Sequence, residues 1–375
     1  MTIEEAVKKY QTFACLDCGV CTGSCPVSRV LPSFSPRLIV EKALLELGDE
    51  LLEDRELWSC LTCSRCYERC PTKINFPEFM RSLREEASKR GITPQLTHHG
   101  MLQSVMELQT MGLKQHKTAW AKEAGKIADK GDTFFFVGCM PYFDVIFRDL
   151  GVDSLSTSRN VIKILNAAGI EPVVTDEELC CGHDMLWNGR FEVFKKLATR
   201  NVEVIRASGA KRVVFSCPEG YYTFKHHYPE YLGDLGFEVV HFYDLVQKMA
   251  SDGALKLQNG NGVYTYHDPC RLGRMAHVYE GPRTILSQIQ DSKFVEMERN
   301  KENALCCGTS GWANCSTCSK QIQVERLKEA KATGASTLVT ACPKCQIHLT
   351  CALNNLDMDL QIKDLTTLIA ESMAN

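Results

Sequence analysis

The residues of this chain best suited to chemistry are its cysteines, and the most informative set is the last. Cys270, the pair Cys306-Cys307 followed by Gly308, and Cys342-Pro343-Lys344-Cys345 offer five thiolates from three separated segments. An ordinary cubic iron–sulfur cluster takes about four from a protein. A damaged copy lies upstream, in Cys139, Cys180-Cys181-Gly182 and Cys217-Pro218-Glu219-Gly220. There Gly220 stands in the place of the fifth cysteine.

A different pattern opens the chain. Cys15, Cys18, Cys21 and Cys25-Pro26 follow the bacterial ferredoxin spacing, and Cys60, Cys63, Cys66 and Cys70-Pro71 repeat it unchanged. Three closely spaced thiolates wrap one cluster, and the fourth, before a proline that turns the chain, reaches the other. The spacing therefore assigns Cys15, Cys18, Cys21 and Cys70 to one 4Fe-4S cubane and Cys60, Cys63, Cys66 and Cys25 to a second.

The elements that must position these sets are legible around them. Ser35-Pro36 predicts a helix start, with Leu38, Ile39, Ala43, Leu44 and Leu47 at helical spacing. Asp49 is expected to cap a short helix toward Trp58, and Asn75 to precede a helix carrying Phe79, Met80, Leu83 and Ala87 before Gly91. Trp58, beside Cys60, reads as packing that keeps water from a cluster. Residues 1–95 thus read as an all-helical two-cluster ferredoxin segment, and 96–131 as a helical connector. His98 and His99 in that connector make a poor metal site, because neighbours on a helix point apart.

The remainder reads as one pattern written twice, over residues 132–255 and 256–375. Strands from Thr133 to Val137 and from Val263 to His267 end near Cys139 and Cys270, and a helix and a cysteine pair follow each. Those helices are marked by Val161, Ile162, Ile164 and Leu165, and by Ile285, Leu286 and Ile289. The segment from Ser208-Gly209-Ala210 to Cys217-Pro218 matches that from Thr333-Gly334-Ala335 to Cys342-Pro343. Helix, glycine stop, apolar strand and Cys-Pro is the order of an α/β unit, with the cysteine just beyond the strand's carboxyl end, where such sheets hold ligands. The expected fold class is α plus α/β, with the helical ferredoxin segment followed by two α/β lobes that face each other across their cysteines.

Composition narrows the function. A chain of 375 residues with 44% hydrophobic content and a formal charge of -3 is a multidomain protein, neither disordered nor built to bind nucleic acid. Twenty cysteines could mean a disulfide scaffold, but that belongs mainly to small secreted domains, and the polar start Met1-Thr2-Ile3-Glu4-Glu5 has no signal segment. No run of about 18 apolar residues is present. The chain reads as cytoplasmic, reaching a membrane only through a partner subunit. No glycine-rich dinucleotide fingerprint follows a strand, so nicotinamide or flavin is expected on partners.

These motifs resemble the CCG-domain family, and nearly the whole chain is similar to a fusion of the ferredoxin-like and catalytic subunits of heterodisulfide reductase. The resemblance is carried by Cys18-Gly19-Val20-Cys21-Thr22-Gly23-Ser24-Cys25-Pro26, by Trp58-Ser59-Cys60-Leu61-Thr62-Cys63 and by His267-Asp268-Pro269-Cys270-Arg271-Leu272-Gly273-Arg274. It implies a noncubane 4Fe-4S cluster on Cys270, Cys306, Cys307, Cys342 and Cys345, at which a disulfide is reduced or thiols are oxidised. Adjacent cysteines suit different irons of an opened cluster better than one cubane face. The complete set is then the reactive end of a wire.

For Cys139, Cys180, Cys181 and Cys217 three readings stand: an ordinary four-cysteine cluster, a noncubane one with an open iron, or an empty vestige. His267, Arg271 and Lys344, beside presumed ligands, are candidates to donate protons, hold a carboxylate or support cluster sulfurs. Cys315 and Cys318 read as buried or inert thiols and Cys351 as core packing. The expected partners are a disulfide or thiol substrate and other subunits of a redox complex, either a flavin-containing electron-bifurcating subunit or a membrane cytochrome. The rival function is that of an electron-transfer iron–sulfur subunit of a flavin-dependent glycolate, lactate or glycerol-3-phosphate dehydrogenase complex.

Overall fold

Short helices dominate the first segment because its sequence keeps stopping and restarting them. In the computed structural model, which describes residues 1–258 and 260–373, residues 1–95 hold helices and no strand. Asn259 and the last two residues of the expected 256–375 segment lie outside the description. Ser35 starts the helix Pro36–Leu44 by accepting a hydrogen bond from the Leu38 N–H, and Asn75 starts Phe76–Lys89 by accepting from that of Glu78. Asp49 does not cap. The helix Gly48–Glu53 begins one residue before it, which leaves Asp49 in the first turn, and Asp54 caps the next turn, Arg55–Ser59, instead.

The connector is less helical than its composition suggests. It holds the helices Met101–Gln109 and Ala121–Ala124 between turns. His98 and His99 sit in left-handed backbone at φ 51° and 54°, not on a helix, and His98 packs edge-on against Phe147.

Two parallel sheets follow. The first comprises β1 (Thr133–Phe136), β2 (Arg212–Phe215) and β3 (Glu238–His241), in that order. The second comprises β4 (Gly262–His267), β5 (Ser292–Phe294), β6 (Thr337–Thr340) and β7 (Gln361–Asp364), in the order β5-β4-β6-β7. Thr133 pairs with Arg212 in the first, and Tyr264 with Thr337 in the second. The first sheet has a vestige of β5: Val173 bridges Phe134, giving its carbonyl to the Phe135 N–H and its own N–H to Thr133.

The strands are apolar runs because helices cover both faces. Phe134, Phe135, Val213, Val214, Leu338 and Val339 are fully buried, each contributing about 1.5–3 kcal/mol by leaving water. One core cluster joins residues of both sheets, among them Phe135, Val214, Tyr266 and Val339, so the lobes share a core. The helices before β2 and β6 end at Gly209 and Gly334, both at positive φ, where a side chain would strain the turn. The chain is a mixture of helices and parallel sheets, and no helix among the described residues is long and apolar enough to cross a membrane.

Candidate iron–sulfur sites

All twenty cysteines are free, and seventeen of them fall into four groups. One cavity in the helical segment is lined by Cys15, Cys18, Cys21 and Cys70, with Cys66 also on its wall. A second is lined by Cys25, Cys60, Cys63 and Cys66. Each Cys-Pro brings its thiol to the other triplet's cavity because the proline opens a new turn: Pro26 begins the helix Pro26–Val30, and Pro71 follows the end of Arg65–Arg69 at Cys70.

The second α/β lobe gathers Cys270, Cys306, Cys307, Cys342 and Cys345 at the carboxyl ends of β4 and β6. Their thiols form an unbroken chain of contacts, from Cys270 to Cys306, Cys307, Cys345 and Cys342. Cys307, which accepts from both Cys306 and Cys345, is pushed down to about 6. Two of its neighbours along the chain are pushed up, Cys270 by its contact with Cys306 and by burial, and Cys345 by its contacts with Cys307 and Cys342.

The first lobe gathers its four. Cys139, Cys180, Cys181 and Cys217 line one cavity together with Gly220, and Cys139 donates to the Cys180 sulfur at 3.2 Å. Cys180, which accepts from Cys139 and Cys181, is held well below the ordinary thiol range. A Cβ built on Gly220 would lie 4.0 Å from Cys181 Cβ, so the missing fifth thiol would have belonged to this group.

These groups stand in a row. Cys66 lines both ferredoxin cavities. Cys63 of the second cavity lies close enough to Cys306 to raise its thiol, and Cys342 does the same to Cys217. The complete five-cysteine group is therefore third in the row, and the row does not end at it. The first-lobe cysteines lie beyond.

Buried arginines bind the row together, and only one of them was expected to have a role. Arg84 donates to the carbonyls of Leu57 and Cys60 and to that of Trp187 in the first lobe. Arg274 donates from Nε to the Cys63 carbonyl at 2.6 Å and from Nη1 to that of Ala304. Arg271 donates to the Thr62 carbonyl at 2.5 Å and hydroxyl at 2.8 Å, and stacks on Trp187 at 4.2 Å. Arg274 Nη2 is buried without a partner, and this guanidinium lies among the sulfurs of Cys63, Cys270 and Cys306. An orphaned cationic donor beside thiols suits an anionic, sulfide-bearing cluster, so the donor set fits the group that the spacing implies.

A compact charge cluster that sequence reasoning missed joins the lobes. Lys344 pairs with Asp184 and, at 2.6 Å, with Glu219, while His183 Nδ1 lies 2.9 Å from Asp184 and its Nε2 accepts from Arg271 at 3.0 Å. Lys344 and Glu219 occupy equivalent positions in the two Cys-Pro-x-x motifs, so the repeat pairs with itself. Lys344 thus holds carboxylates rather than facing open space. His267 is fully buried at the end of β4, its Nδ1 accepting from Arg326 at 3.1 Å, and burial holds its ring neutral. Its signals in the sequence were Lys344, a candidate to hold a carboxylate, and His183-Asp184 directly after Cys180-Cys181-Gly182. Cys315 is exposed, not buried, and Cys318 and Cys351 are half-buried.

The chain is similar to known iron–sulfur proteins. Residues 133–225 and 264–350 each match the cysteine-rich CCG domain, and residues 11–74 match the 4Fe-4S dicluster domain. One subunit of the dihydromethanophenazine:CoB–CoM heterodisulfide reductase of Methanosarcina acetivorans is 34% identical over 78% of this chain and 72% of its own length. The EtfAB:quinone oxidoreductase of Syntrophomonas wolfei is 29% identical over 60% of this chain and 34% of its own length. In fold, the whole chain aligns with 77% of a hypothetical protein from Helicobacter pylori, at a TM-score of 0.60 and 11% identity. With both domain types present and a relative of this identity matched over most of its length, the chain belongs to the heterodisulfide reductase family of iron–sulfur oxidoreductases.

Proposed function

We propose that this chain passes electrons along its row of cysteine groups to the α/β lobes, where a disulfide is reduced or thiols are oxidised. The observation that carries the reading is the continuity of the row, from Cys18 at the surface through Cys66, Cys63, Cys306 and Cys342 to Cys217. Two cubane clusters on Cys15, Cys18, Cys21 and Cys70 and on Cys25, Cys60, Cys63 and Cys66 form the entry. A noncubane cluster on Cys270, Cys306, Cys307, Cys342 and Cys345 follows, and a further cluster on Cys139, Cys180, Cys181 and Cys217 lies beyond it. The division is that of a two-cluster helical segment (1–95), a connector (96–131) and two lobes that face each other across the cysteines (132–255 and 256–375).

When bound, such clusters supply electrons singly, while reduction of a disulfide to two thiols takes two electrons and two protons. The chain's own residues hold the geometry. Arg84, Arg271 and Arg274 fix the Leu57–Cys63 loop against both lobes, and the Lys344 ammonium ties the lobes through Asp184 and Glu219. Electrons enter from a partner subunit, either a flavin-containing bifurcating subunit or a membrane cytochrome. The entry face supports this, because the exposed Cys18 lies between exposed apolar chain neighbours, Leu16 and Val20.

The rival, an electron-transfer subunit without its own substrate, draws on the relative that is an EtfAB:quinone oxidoreductase. Viologen-driven reduction of disulfides by the isolated protein separates the two. Turnover is expected, and none with any disulfide would favour the rival.

A further inference from the structure

Four arginines gather at the inner ferredoxin group, Cys25, Cys60, Cys63 and Cys66, and none of them pairs with a carboxylate among the described residues. Arg65 lines the cavity of this group, with Nη1 on the Asn303 carbonyl at 2.9 Å and Nε buried without a partner. Arg84 donates to the Cys60 carbonyl at 2.7 Å, Arg271 to that of Thr62 at 2.5 Å, and Arg274 to that of Cys63 at 2.6 Å. Arg84, Arg271 and Arg274 are buried. Carbonyl oxygens satisfy their N–H groups but do not neutralise their charges, and a buried charge is costly without a counter-charge. Burial, with Arg274 beside it, pushes the Arg65 guanidinium down, and burial pushes that of Arg84 down to about 10.

The outer group, Cys15, Cys18, Cys21 and Cys70, is built differently. The one arginine on its cavity wall, Arg37, is paired with Asp17 at 2.6 Å and with Glu41 at 3.4 Å. Cys18 is exposed and the other three are half-buried, whereas Cys25, Cys60 and Cys63 are buried. A cubane gains one negative charge on reduction; burial disfavours that charge, and nearby cations favour it. By burial alone the inner site would be the harder of the two to reduce, and an electron entering at Cys18 would have to climb to reach it. The four guanidinium groups act in the opposite sense.

We propose that Arg65, Arg84, Arg271 and Arg274 are the counter-charge of the inner cubane and raise its potential above that of the outer one, so that electrons run inward. One electron passes from the reduced outer cluster to the oxidised inner one; no bond forms or breaks, and no proton moves. The proposal rests on the reading that these two groups hold cubanes, and adds to it the order of their potentials.

The test is an anaerobic redox titration of the cluster-loaded full chain, with the cubane signals followed by electron-spin resonance and iron measured alongside. Arg65→Gln is expected to move one cubane signal to lower potential and leave the other in place. The expected size is about a tenfold change in the oxidised-to-reduced ratio at fixed potential, or about 59 mV for a one-electron couple. In the unaltered chain, the signal that moves is the first to be reduced. Arg65→Lys keeps the charge and should keep the potential, and Arg274→Gln should move the same signal in the same direction. Potentials unmoved in both glutamine variants at unchanged iron, a shift in Arg65→Lys equal to that in Arg65→Gln, or a moving signal that is reduced last would each overturn the proposal. Fewer than two cubane signals in the unaltered chain would instead overturn the cubane reading beneath it.

Discussion

The two α/β lobes are copies that differ at one decisive position, and the difference reorganises the sulfurs around it. In the second lobe Cys345 donates to Cys307, so the second member of the cysteine pair is the low thiol, poised between two neighbours. In the first lobe the equivalent position is Gly220, that donor is missing, and the low thiol is the first member, Cys180, between Cys139 and Cys181. The same fold therefore holds two thiol sets of different polarity. The group nearer the ferredoxin cysteines keeps five thiols, and the farther one keeps four.

Cys217→Ser is expected to break this comparison most severely. Cys217 is the strand-end cysteine of the four-cysteine group and the one that feels Cys342. Its loss removes the iron of the first lobe and leaves that of the second. Iron quantification on the purified variant checks this, and unchanged iron would mean that the first lobe holds none.

Lys344→Met acts on the seam between the lobes. It leaves Asp184 and Glu219 buried without their cation, a loss of about 3–5 kcal/mol. The measurement is the midpoint of thermal unfolding under anaerobic conditions, where a fall of several degrees is expected. A seam that tolerates the change would mean that the lobes are held by their shared apolar core alone.

The lobes also differ in the residue that caps their last helix, and pH should separate them. His241, at the end of β3, accepts from the Tyr243 N–H, and burial pushes it down to about 3. Its contribution is fully present above its ordinary value of 6.5 and is lost as pH falls toward 3. Asp364, at the end of β7, accepts from the Thr366 N–H, and burial pushes it up to about 6. Its contribution is fully present below its ordinary value of 3.8 and is lost as pH rises through 6. The shifts correspond to about 5 kcal/mol for His241 and about 3 kcal/mol for Asp364. Between pH 7 and 5, His241→Gln should flatten a loss of stability and Asp364→Asn a gain, so their unfolding midpoints diverge with opposite slopes.

The mildest change expected is that of Gly220→Cys. The new Cβ meets Phe215 Cδ1 at 3.1 Å, a contact that a small ring shift relieves. The expected outcome is unchanged iron content with a first-lobe spectrum moved toward that of the second. A spectrum that does not move would mean that residue 220 is outside the ligand set.

Much of this architecture was legible because cysteine spacing and strand periodicity are local. The ferredoxin runs, the repeat and the strand-end position of Cys217 and Cys342 all follow from neighbours in the chain. What was not legible depends on distant partners. Asp184 meets Lys344, Arg84 reaches Trp187, and Arg271 reaches both Thr62 and His183, each across a separation that no local pattern encodes. The misplaced cap at Asp49 has a smaller cause, since Gly48 had already begun the helix. The neighbours of the five-cysteine group are of the same long-range kind, since Cys63 and Cys217 come to it from distant segments.

The central claim is that the five-cysteine group, and Cys345 in particular, carries the thiol chemistry. Electron-spin resonance of the intact protein with a thiol substrate tests it most directly. A thiol-dependent signal is expected, which Cys345→Ser abolishes and Gly220→Cys leaves in place, whereas a signal unchanged in Cys345→Ser would contradict the claim.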